Sequence, residues 1–506
     1  MNKLLLLTLI YCSILFYSSC ENRQQQISDK PNIILLFTDD QTYSSIRALG
    51  NNEIITPNMD RLVNDGTTFN NTFNMGGWNG AICTASRSMM NSGRSLWRVN
   101  KFRQNWLKGD SLDQTWGKLM SKQGYDTYMT GKWHIDAPAN KLFDQSPHVR
   151  PGMPGDEWEH NEMVEKFATI VADGTVQADE IMPIGYNRPL SENDSSWSPV
   201  DPKFGGFWEG GKHWSEVVKD HALSFINEAK NKDNPFFMYL AFNAPHDPRQ
   251  APQEFQDMYS LDEISVPKSW QSEYPNQELI GNGPSLRDEA LAPFPRTEYA
   301  TKVHTKEYYA IITHLDEQIG QILDALEASG KKDNTYIFFT SDHGLSMGRH
   351  GLLGKQSLYD HSIKPPLIVA GPDVPKNKRI DADVYLQDVM ATSLELAGIP
   401  KPEYLEFNSL MGLVQGKQDD SNYPAIYGAY TDTQRMVRKD GFKLLVFPKA
   451  NKILLFDLEK DPEEMNDLSG EEDYKEKISA LAKELIALQN HYEDPLDLSE
   501  LLNSVI

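Results

Sequence analysis

The sequence has few cysteines, fewer basic than acidic residues, and little uninterrupted apolar sequence. Three cysteines in 506 residues are too few for a fold built on disulfide bonds. The 49 lysines and arginines face 72 aspartates and glutamates, and the resulting net charge of −23 argues against general nucleic-acid binding, which needs a basic surface. Beyond the amino terminus, no apolar segment approaches the roughly 20 residues that span a bilayer. The 39% apolar and 10% aromatic residues are enough for a large hydrophobic core.

Residues 1–20 are typical of a secretion signal. The apolar run Leu4–Tyr17 is too short to cross a membrane and fits the core of a signal peptide. Ser18-Ser19-Cys20 resembles a bacterial lipoprotein cleavage site, at which Cys20 would be lipidated; ordinary signal cleavage is the alternative. A polar, Gln-rich tether follows over 21–30. We therefore expect an exported protein, periplasmic or lipid-anchored to the outer or cell membrane of a Gram-negative bacterium.

The cysteines take on a different meaning once the signal is set aside. Cys12 lies within the signal and Cys20 at its end, so Cys83 is the cysteine of the folded body. Exported proteins meet oxidising conditions, in which cysteines usually form pairs. An unpaired Cys83 is thus either a buried inert thiol or a functional residue, and composition alone does not decide between them.

Apolar runs that alternate with amphipathic helices predict an α/β fold with a large, mostly parallel sheet flanked by helices. Continuous apolar runs predict strands buried on both faces; they lie at Asn32–Thr38, Pro235–Phe242, Thr335–Thr340 and Pro366–Ala370. The helical pattern covers Leu112–Gln123, Trp214–Ala229 and a segment that starts near Lys306.

The pattern changes after about Lys401. Met436–Phe447 and Lys452–Leu458 predict antiparallel strands, and a helix containing Ile478, Leu481 and Leu485 follows. We therefore predict a large domain over 31–400 and a smaller C-terminal α+β domain over 401–506. Two long segments rich in Pro, Gly and Trp, 145–212 and 247–300, are predicted to form lids or substrate walls.

Acidic residues follow two of the predicted strands. Asp39-Asp40 come directly after the first strand, and Asp342-His343 come just after another. Because ligands of open α/β sheets bind beyond the carboxyl ends of the strands, these groups can converge. Three carboxylates in one place need a cation, and oxygen ligands favour Ca²⁺ or Mg²⁺. For either pair alone, a turn or capping role is the simpler interpretation.

A series of motifs resembles the sulfatase family, the formylglycine-dependent type I sulfatases of the alkaline phosphatase superfamily. The segment around Cys83 resembles the sulfatase signature, with Ala85 in place of the commoner proline. Further blocks follow in the family's order, and His343 stands where many members have asparagine. The blocks are Ile82-Cys83-Thr84-Ala85-Ser86-Arg87 with Ser92-Gly93-Arg94, Gly131-Lys132-Trp133-His134, Pro245-His246-Asp247-Pro248, Asp342-His343-Gly344 and His350 to Lys355. The resemblance covers about residues 31–490 and implies an alkaline phosphatase-like fold with a catalytic domain at 31–400.

The resemblance implies the chemistry of the site. A maturating enzyme would convert Cys83 to formylglycine (3-oxoalanine), whose hydrate is the nucleophile. One Ca²⁺ ion would be bound by the metal ligands Asp39, Asp40, Cys83, Asp342 and His343.

The remaining roles also come from the resemblance. Arg87 and Lys132 would orient the formylglycine diol, and His134 would be the base that drives its collapse. Lys355 would bind sulfate oxygens, and His246 would protonate the leaving sugar oxygen.

The predicted activity is that of an exported sulfatase (a sulfuric ester hydrolase) acting on a sulfated carbohydrate such as ulvan, carrageenan, fucoidan or a glycosaminoglycan. Two alternatives stay open: a phosphomonoester or phosphonate hydrolase of the same superfamily, and a catalytically silent glycan-binding lipoprotein. Weaker candidates for sugar contacts are Trp78, Trp97, Arg98, His304, Arg349 and His350. The aromatic residues Trp158, Trp197, Phe207, Trp208 and Trp214 either line a glycan cleft or, for most of them, pack a long insertion.

Overall fold

A computed structural model describes residues 30–154, 162, 165–166, 168–169 and 182–506 of the chain. The predicted signal, all of the predicted tether except Lys30, and Trp158 lie outside the described residues. In the part that is described, no helix combines the length and apolar character needed to span a membrane.

An eight-stranded sheet forms the centre of the molecule. Its strands, in spatial order, are β12 (Lys378–Ile380), β2 (Thr67–Phe69), β11 (Leu367–Ala370), β10 (Thr335–Ser341), β1 (Asn32–Thr38), β9 (Phe236–Ala241), β5 (Asp126–Lys132) and β6 (Val149–Arg150). All neighbours are parallel except β11, which runs antiparallel to β10 and β2. Two pairs lie outside it: β3 (Thr72–Phe73) with β13 (Val384–Tyr385), and β7 (Trp208–Glu209) with β8 (Lys212–His213).

Helices cover both faces of this sheet, which explains why its central strands are apolar throughout. The helices are α1 (Pro57–Asp65), α2 (Ile82–Ser92), α3 (Leu96–Leu107), α4 (Trp116–Lys122), α5 (Trp214–Ala229), α6 (Gln253–Gln256), α7 (Glu298–Ala328), α8 (Asp360–Ile363), α9 (Asp388–Leu396), α10 (Met411–Val414), α11 (Lys475–Tyr492) and α12 (Ser499–Leu502). On one face of the sheet, α1, α5 and α7 pack on the even-numbered residues of β1, such as Ile34 and Leu36. On the other face, α2, α3, α4 and α9 pack on its odd-numbered residues, such as Ile33 and Leu35.

The C-terminal part carries a second sheet. Its strands are β17 (Lys452–Asp457), β16 (Phe442–Phe447), β15 (Gln434–Lys439) and β14 (Ile426–Tyr430), all antiparallel, and α11 packs against it. A short strand from the large domain, β4 (Gly76–Gly77), pairs with β14 in parallel. The second sheet is therefore joined to the segment that leads directly into α2, the helix that carries Cys83.

The predicted fold class is confirmed, and most differences concern polar or very short elements. The predicted strand Asn32–Thr38 and helix Trp214–Ala229 have the bounds expected. The helix expected near Lys306 begins at Glu298, because its first turns bury Thr301 and His304 and so lack apolar periodicity.

Three further differences concern the direction of one strand, the division of one helix and one additional strand. The run Pro366–Ala370 forms a strand, but an antiparallel one. The segment Leu112–Gln123 divides at Thr115 into a 3₁₀ turn and α4. Strand β5 was not expected, because its sequence Asp-Thr-Tyr-Met-Thr-Gly-Lys lacks the apolar run of its neighbours although it is buried from Thr127 onward.

Candidate active site

Four parallel strands end at the same edge of the large sheet and bring the sequence motifs together. Thr38 of β1 pairs with Ser341 of β10, so Asp39-Asp40 and Asp342-His343 leave neighbouring strands at the same level. Strand β5 ends at Lys132, and β9 leads through a short loop to His246. The convergence of the two acidic pairs follows directly from this register.

Cys83 is the second residue of α2 and points into the same place. Its sulfur lies 3.2 Å from Nε2 of His343 and 4.0 Å from Oδ1 of Asp40, and Nζ of Lys355 lies 3.4 Å from it. The thiol is unpaired and 2% exposed. A helix N-terminus carries partial positive charge, which stabilises an anion at this position.

Five side chains form a compact group of metal-ligating atoms. One ligand atom from each of Asp39, Asp40, Cys83, Asp342 and His343 lies within 4.8 Å of all the others, and every one of these residues is buried. Oδ1 of Asp39 is buried without a hydrogen-bond partner. A buried carboxylate oxygen with no donor is costly unless a cation binds it. The group is rich in oxygen and so fits a hard cation such as Ca²⁺ or Mg²⁺.

Two fully buried cations hold the carboxylates in place. Nε of Arg87 donates to Oδ2 of Asp342 at 2.9 Å, and Nη1 donates to the carbonyl oxygen of Lys132, also at 2.9 Å. The guanidinium also lies 4.6 Å from the centre of the Phe37 ring. The ammonium group of Lys132 donates to Oδ2 of Asp39. Arg87 is therefore committed chiefly to Asp342 and to the end of β5.

Lys355 reaches the group from the loop that follows β10. Its Nζ donates to both carboxylate oxygens of Asp40, at 2.9 and 3.1 Å, and lies 3.5 Å from Oδ2 of Asp288. The side chain is 3% exposed. The lysine thus connects the predicted metal ligands with Asp288, a residue that no sequence motif identified.

Burial of opposite charges together shifts the pKa values of the group. Burial, with added repulsion from Asp342 and Cys83, raises the pKa of Asp39 well above its usual range. For Cys83, burial acts in the same direction, but the charges of Lys132, Lys355 and His343 outweigh it and hold the thiol pKa well below the usual value. The pocket therefore favours an anion at position 83.

His134 follows β5 and lies close enough to Cys83 for the thiol to influence the pKa of its imidazole. Burial and the neighbouring Lys132 charge lower the pKa of its imidazole. Two glycines make this arrangement possible. Gly131 has φ of +95°, and a Cβ there would lie 1.7 Å from the carbonyl oxygen of Ala241, while a Cβ on Gly152 would lie 2.5 Å from the His134 ring.

His246 lies on the other side of the group. Its Nδ1 is 2.7 Å from the carbonyl oxygen of Asp247, and its Nε2 is 3.8 Å from Oδ2 of Asp40. The Asp247 carboxylate accepts from both Nη1 and Nη2 of Arg287, at 3.2 and 2.5 Å, and Nη1 also donates to Asp288 at 3.0 Å. With Nδ1 engaged by the backbone, Nε2 is the nitrogen available for proton transfer.

The sequence motifs missed Arg287 and Asp288. Both lie in the segment 247–300, which was predicted as a substrate wall, and no local pattern distinguishes them from other charged loop residues. The signal that could have identified this region is the length of the segment itself.

The weaker candidates for sugar contacts lie in several environments. Trp97 is buried and donates to the Tyr427 hydroxyl, and Arg98 pairs with Glu406 and Glu493. His304 is fully buried against the carbonyl oxygen of Arg188, and His350 stacks on Tyr359. The other two also have protein neighbours: Trp78 lies beside Arg103, and Arg349 donates to Ser346 and Ser44.

Most of the aromatic residues of the 145–212 segment that are described pack against protein. Phe207 and Trp214 are buried, and the Trp208 indole donates to Gln250. Trp197 lies over Arg188.

Comparison with known sequence families gives two matches. The Sulfatase model matches residues 31–399. A model described as N-sulphoglucosamine sulphohydrolase, C-terminal, matches residues 348–491.

Individual proteins are similar along almost the whole chain. An arylsulfatase of Clostridium perfringens is 29% identical over 493 residues, which cover 94% of this chain and 97% of that protein. The N-acetylglucosamine-6-O-sulfatase of Bacteroides thetaiotaomicron is 28% identical over 538 residues, covering 96% and 91%. A solved structure of a protein bound to its substrate D-glucosamine-2-N,6-O-disulfate has the same fold, with a TM-score of 0.67 at 23% identity over 92% of this chain and 99% of that one.

Proposed function

The chain belongs to the sulfatase family of sulfuric ester hydrolases, and we propose that it removes sulfate from a sulfated carbohydrate. The observation that carries the proposal is the convergence of Cys83 with three buried aspartates and His343 in one group of ligand atoms. The similarity to an N-acetylglucosamine-6-O-sulfatase supports a carbohydrate as the natural substrate.

One Ca²⁺ ion fits the group at the sheet edge. Asp39, Asp40, Asp342 and His343 would hold it, with residue 83 beside them. Oδ1 of Asp39 accepts no hydrogen bond from the described residues, and the Arg87 guanidinium lies 3.8 Å from it; this oxygen and the predominance of carboxylate oxygens support a hard cation. When bound, the ion would offset the negative charge of the sulfate group and favour ionisation of the attacking hydroxyl.

Residue 83 is proposed to be formylglycine in the working enzyme, made from Cys83 by a sulfatase-maturating enzyme. Its hydrate would supply the hydroxyl that attacks sulfur, a form of covalent catalysis that divides one difficult displacement into two easier steps. The surroundings of Cys83 support an anionic oxygen at this position, because Lys355, His343 and the N-terminus of α2 all face it.

His246 is proposed to protonate the leaving sugar oxygen. The contact of its Nδ1 with the carbonyl oxygen of Asp247 fixes the ring and leaves Nε2 pointing toward Asp40. A sugar alkoxide is a poor leaving group, so a proton donor is needed there.

The remaining side chains of the site are proposed to position the reacting groups and to neutralise their charge. Lys355 is proposed to bind sulfate oxygens, and Lys132 and Arg87 to orient the diol, Arg87 acting through Asp342. His134, which lies near position 83, is the proposed base. Asp288 lies beside Lys355, and Arg287 lies beside Asp288. Both are suited to contact sugar hydroxyls.

The compartment is part of the proposal. Residues 1–20 would direct export, and lipidation of Cys20 would tether the enzyme to a membrane of a Gram-negative cell, with the periplasm as the alternative location. Export agrees with the action on extracellular glycans that is proposed here. Labelling with a fatty-acid analogue in the native host, with Cys20→Ala as the control, tests the anchor.

The fixed positive charge beside Asp247 favours a sulfate ester over a phosphate ester as the substrate. Besides the main group, Asp40, His246 and Asp247 form a second close set of ligating side chains among the described residues. Nη1 and Nη2 of Arg287 both donate to the carboxylate of Asp247, so the positive charge of the guanidinium already neutralises that aspartate. Turnover of nitrophenyl sulfate well above that of nitrophenyl phosphate is expected, and the reverse order would favour the phosphohydrolase alternative.

The substrate is tested by direct sulfate release. The mature protein is incubated with oligosaccharides from κ-carrageenan, ulvan, fucoidan and heparin, and released sulfate is measured by ion chromatography. Release from at least one of them is expected. Turnover of nitrophenyl sulfate without release from any glycan would contradict the carbohydrate assignment, and no turnover of either would favour a silent glycan-binding protein.

A further inference from the structure

A second cleft lies apart from the residues assigned to catalysis. Its volume is about 380 Å³, within the range of sites that bind a small molecule. The cleft lies between α7, α6 and the segment 188–200, and its lining residues are Arg188, Pro189, Asp194, Trp197, Pro199, Val200, Gln253, Gln256, Leu261, Tyr299, Val303, Lys306 and Glu307. None of the predicted metal ligands or catalytic residues is among them.

One wall of the cleft is aromatic and rigid. The Trp197 ring lies over the guanidinium of Arg188, whose Cζ is 4.5 Å from the ring centre. Arg188 is itself fixed, because its Nη1 and Nη2 donate to the two carboxylate oxygens of Glu307 at 2.8 and 2.7 Å. Tyr299 adds a second ring to the lining. Aromatic side chains that keep one end polar are suited to contact amphipathic ligands.

Two of the polar side chains that line the cleft have polar atoms without hydrogen-bond partners. Gln256 is 2% exposed, yet neither its amide nitrogen nor its amide oxygen has a hydrogen-bond partner. The Trp197 indole nitrogen is also buried without an acceptor. Buried polar groups in proteins are nearly always hydrogen-bonded, so an unpaired amide lining a cleft calls for a partner that supplies both a donor and an acceptor.

Charge in the cleft is mixed. Arg188 and Glu307 neutralise each other, and Asp194 accepts from the backbone N–H groups of Leu190 and Ser196. Lys306 lines the same cleft. This mixture favours a ligand recognised through its hydroxyl groups over a bare inorganic anion.

We infer that the cleft binds a pyranose ring of a glycan, as a second carbohydrate site separate from the catalytic pocket. Ring faces would contact Trp197 and Tyr299, and sugar hydroxyls would pair with the Gln256 amide and the Trp197 indole N–H. The inference rests on the proposed carbohydrate substrate, since a polymeric glycan has sugar residues beyond the one that is desulfated. Such a site would hold the polymer near the catalytic pocket.

The test measures glycan binding in full-length protein carrying Cys83→Ala, so that no turnover occurs. Hexasaccharides of κ-carrageenan, ulvan and heparin are titrated calorimetrically into this protein and into versions that also carry Gln256→Leu or Trp197→Ala. Leucine is similar in volume to glutamine but lacks its polar atoms. The melting temperature of the Gln256→Leu protein reports any folding defect. Lys302→Ala is the matched control, because Lys302 lies on the same helix as Lys306 but does not line the cleft.

We expect at least one hexasaccharide to bind, with a tenfold loss of affinity or the loss of one binding site in both cleft variants and less than a twofold change in Lys302→Ala. A crystal soaked with that hexasaccharide should show a sugar ring hydrogen-bonded to Gln256. The inference is wrong if none binds, if Gln256→Leu binds like the parent, or if the soaked cleft holds only water. Sulfate release from the same glycans by the mature parent is measured separately, so failure of the proposed function can be told apart from failure of the cleft.

Discussion

The carboxyl edge of the large sheet and the contact between β16 and α8 both bury lysines among carboxylates. At the contact, Lys443 of β16 is fully buried and reaches Oδ1 of Asp360, Oε1 of Glu464 at 2.7 Å and the carbonyl oxygen of Leu358 at 3.2 Å. At the edge, Lys132 and Lys355 reach Asp39 and Asp40 in the same way. Burial and ion pairing are therefore common to the two clusters.

What separates them is the number of ligand atoms that converge. Among the described residues, groups of three or more close metal-ligating side chains form around Asp40, and none includes Asp360 or Glu464. The edge also adds a cysteine at a helix N-terminus and two histidines. We conclude that a buried ion pair alone does not identify a functional site, whereas convergent ligands beside a nucleophile indicate chemistry.

The largest effect is expected from Cys83→Ala. Removing the residue proposed to become the nucleophile should lower turnover of nitrophenyl sulfate by about 10⁴-fold or more, because the remaining groups would only bind and position the substrate. The melting temperature should change little, since alanine is small enough for the buried position. If the variant kept more than a tenth of the parent rate, the group of residues around Cys83 at the carboxyl edge of the large sheet would not be the catalytic site.

Removal of Ca²⁺ is the next largest expected effect. Treatment with a chelator should lower turnover by about 10²-fold or more and lower the melting temperature, because an ion that binds only the folded state also stabilises it. Added Ca²⁺ should restore both, in the parent and in Lys443→Met alike. If neither the rate nor the melting temperature changed with the chelator or with added Ca²⁺, we would conclude that Asp39 and its neighbours do not bind this ion.

His246→Ala should separate substrates by leaving group. Loss of the proposed proton donor should lower turnover of a sulfated sugar by roughly 10²-fold, and turnover of nitrophenyl sulfate much less, because its phenolate leaves without a proton. The control His221→Ala changes a partly exposed histidine on α5 and should stay within twofold of the parent. Equal losses on both substrates would rule out the proton-donor role.

Lys443→Met should affect stability rather than the rate. Leaving Asp360 and Glu464 without their buried cation should cost about 3–5 kcal/mol of unfolding free energy, measured by urea denaturation. The rate per folded molecule should not change. The control Lys449→Met breaks an exposed pair with Asp432 and should cost less than about 1 kcal/mol. If Lys443→Met lowered the rate as strongly as His246→Ala, the distinction between the two clusters would fail.

The part of the fold that could be predicted is the part in which local sequence and tertiary position agree. Strand β1 is apolar because both of its faces are buried, and Asp39-Asp40 stand at its carboxyl end, so their convergence with Asp342 follows from the parallel order of the sheet. The helix α5 is amphipathic along its whole length and has the predicted bounds.

The rest depends on tertiary contacts that leave no local pattern. Strand β5 is buried but carries threonines, and α7 begins among buried polar residues such as His304. Arg287 comes to Asp247 from a distant part of the loop segment, and β4 joins the second sheet through two glycines. None of these could be read from periodicity, because partners far apart in the chain determine them.

The central claim is that residue 83 acts as formylglycine. Mass spectrometry of the peptide containing Cys83, from protein made with and without a sulfatase-maturating enzyme, measures the fraction converted, and the same samples are assayed with nitrophenyl sulfate. The account predicts that the rate rises in proportion to the formylglycine fraction and is negligible when the thiol is intact. Full activity in protein whose Cys83 is entirely unmodified would contradict it.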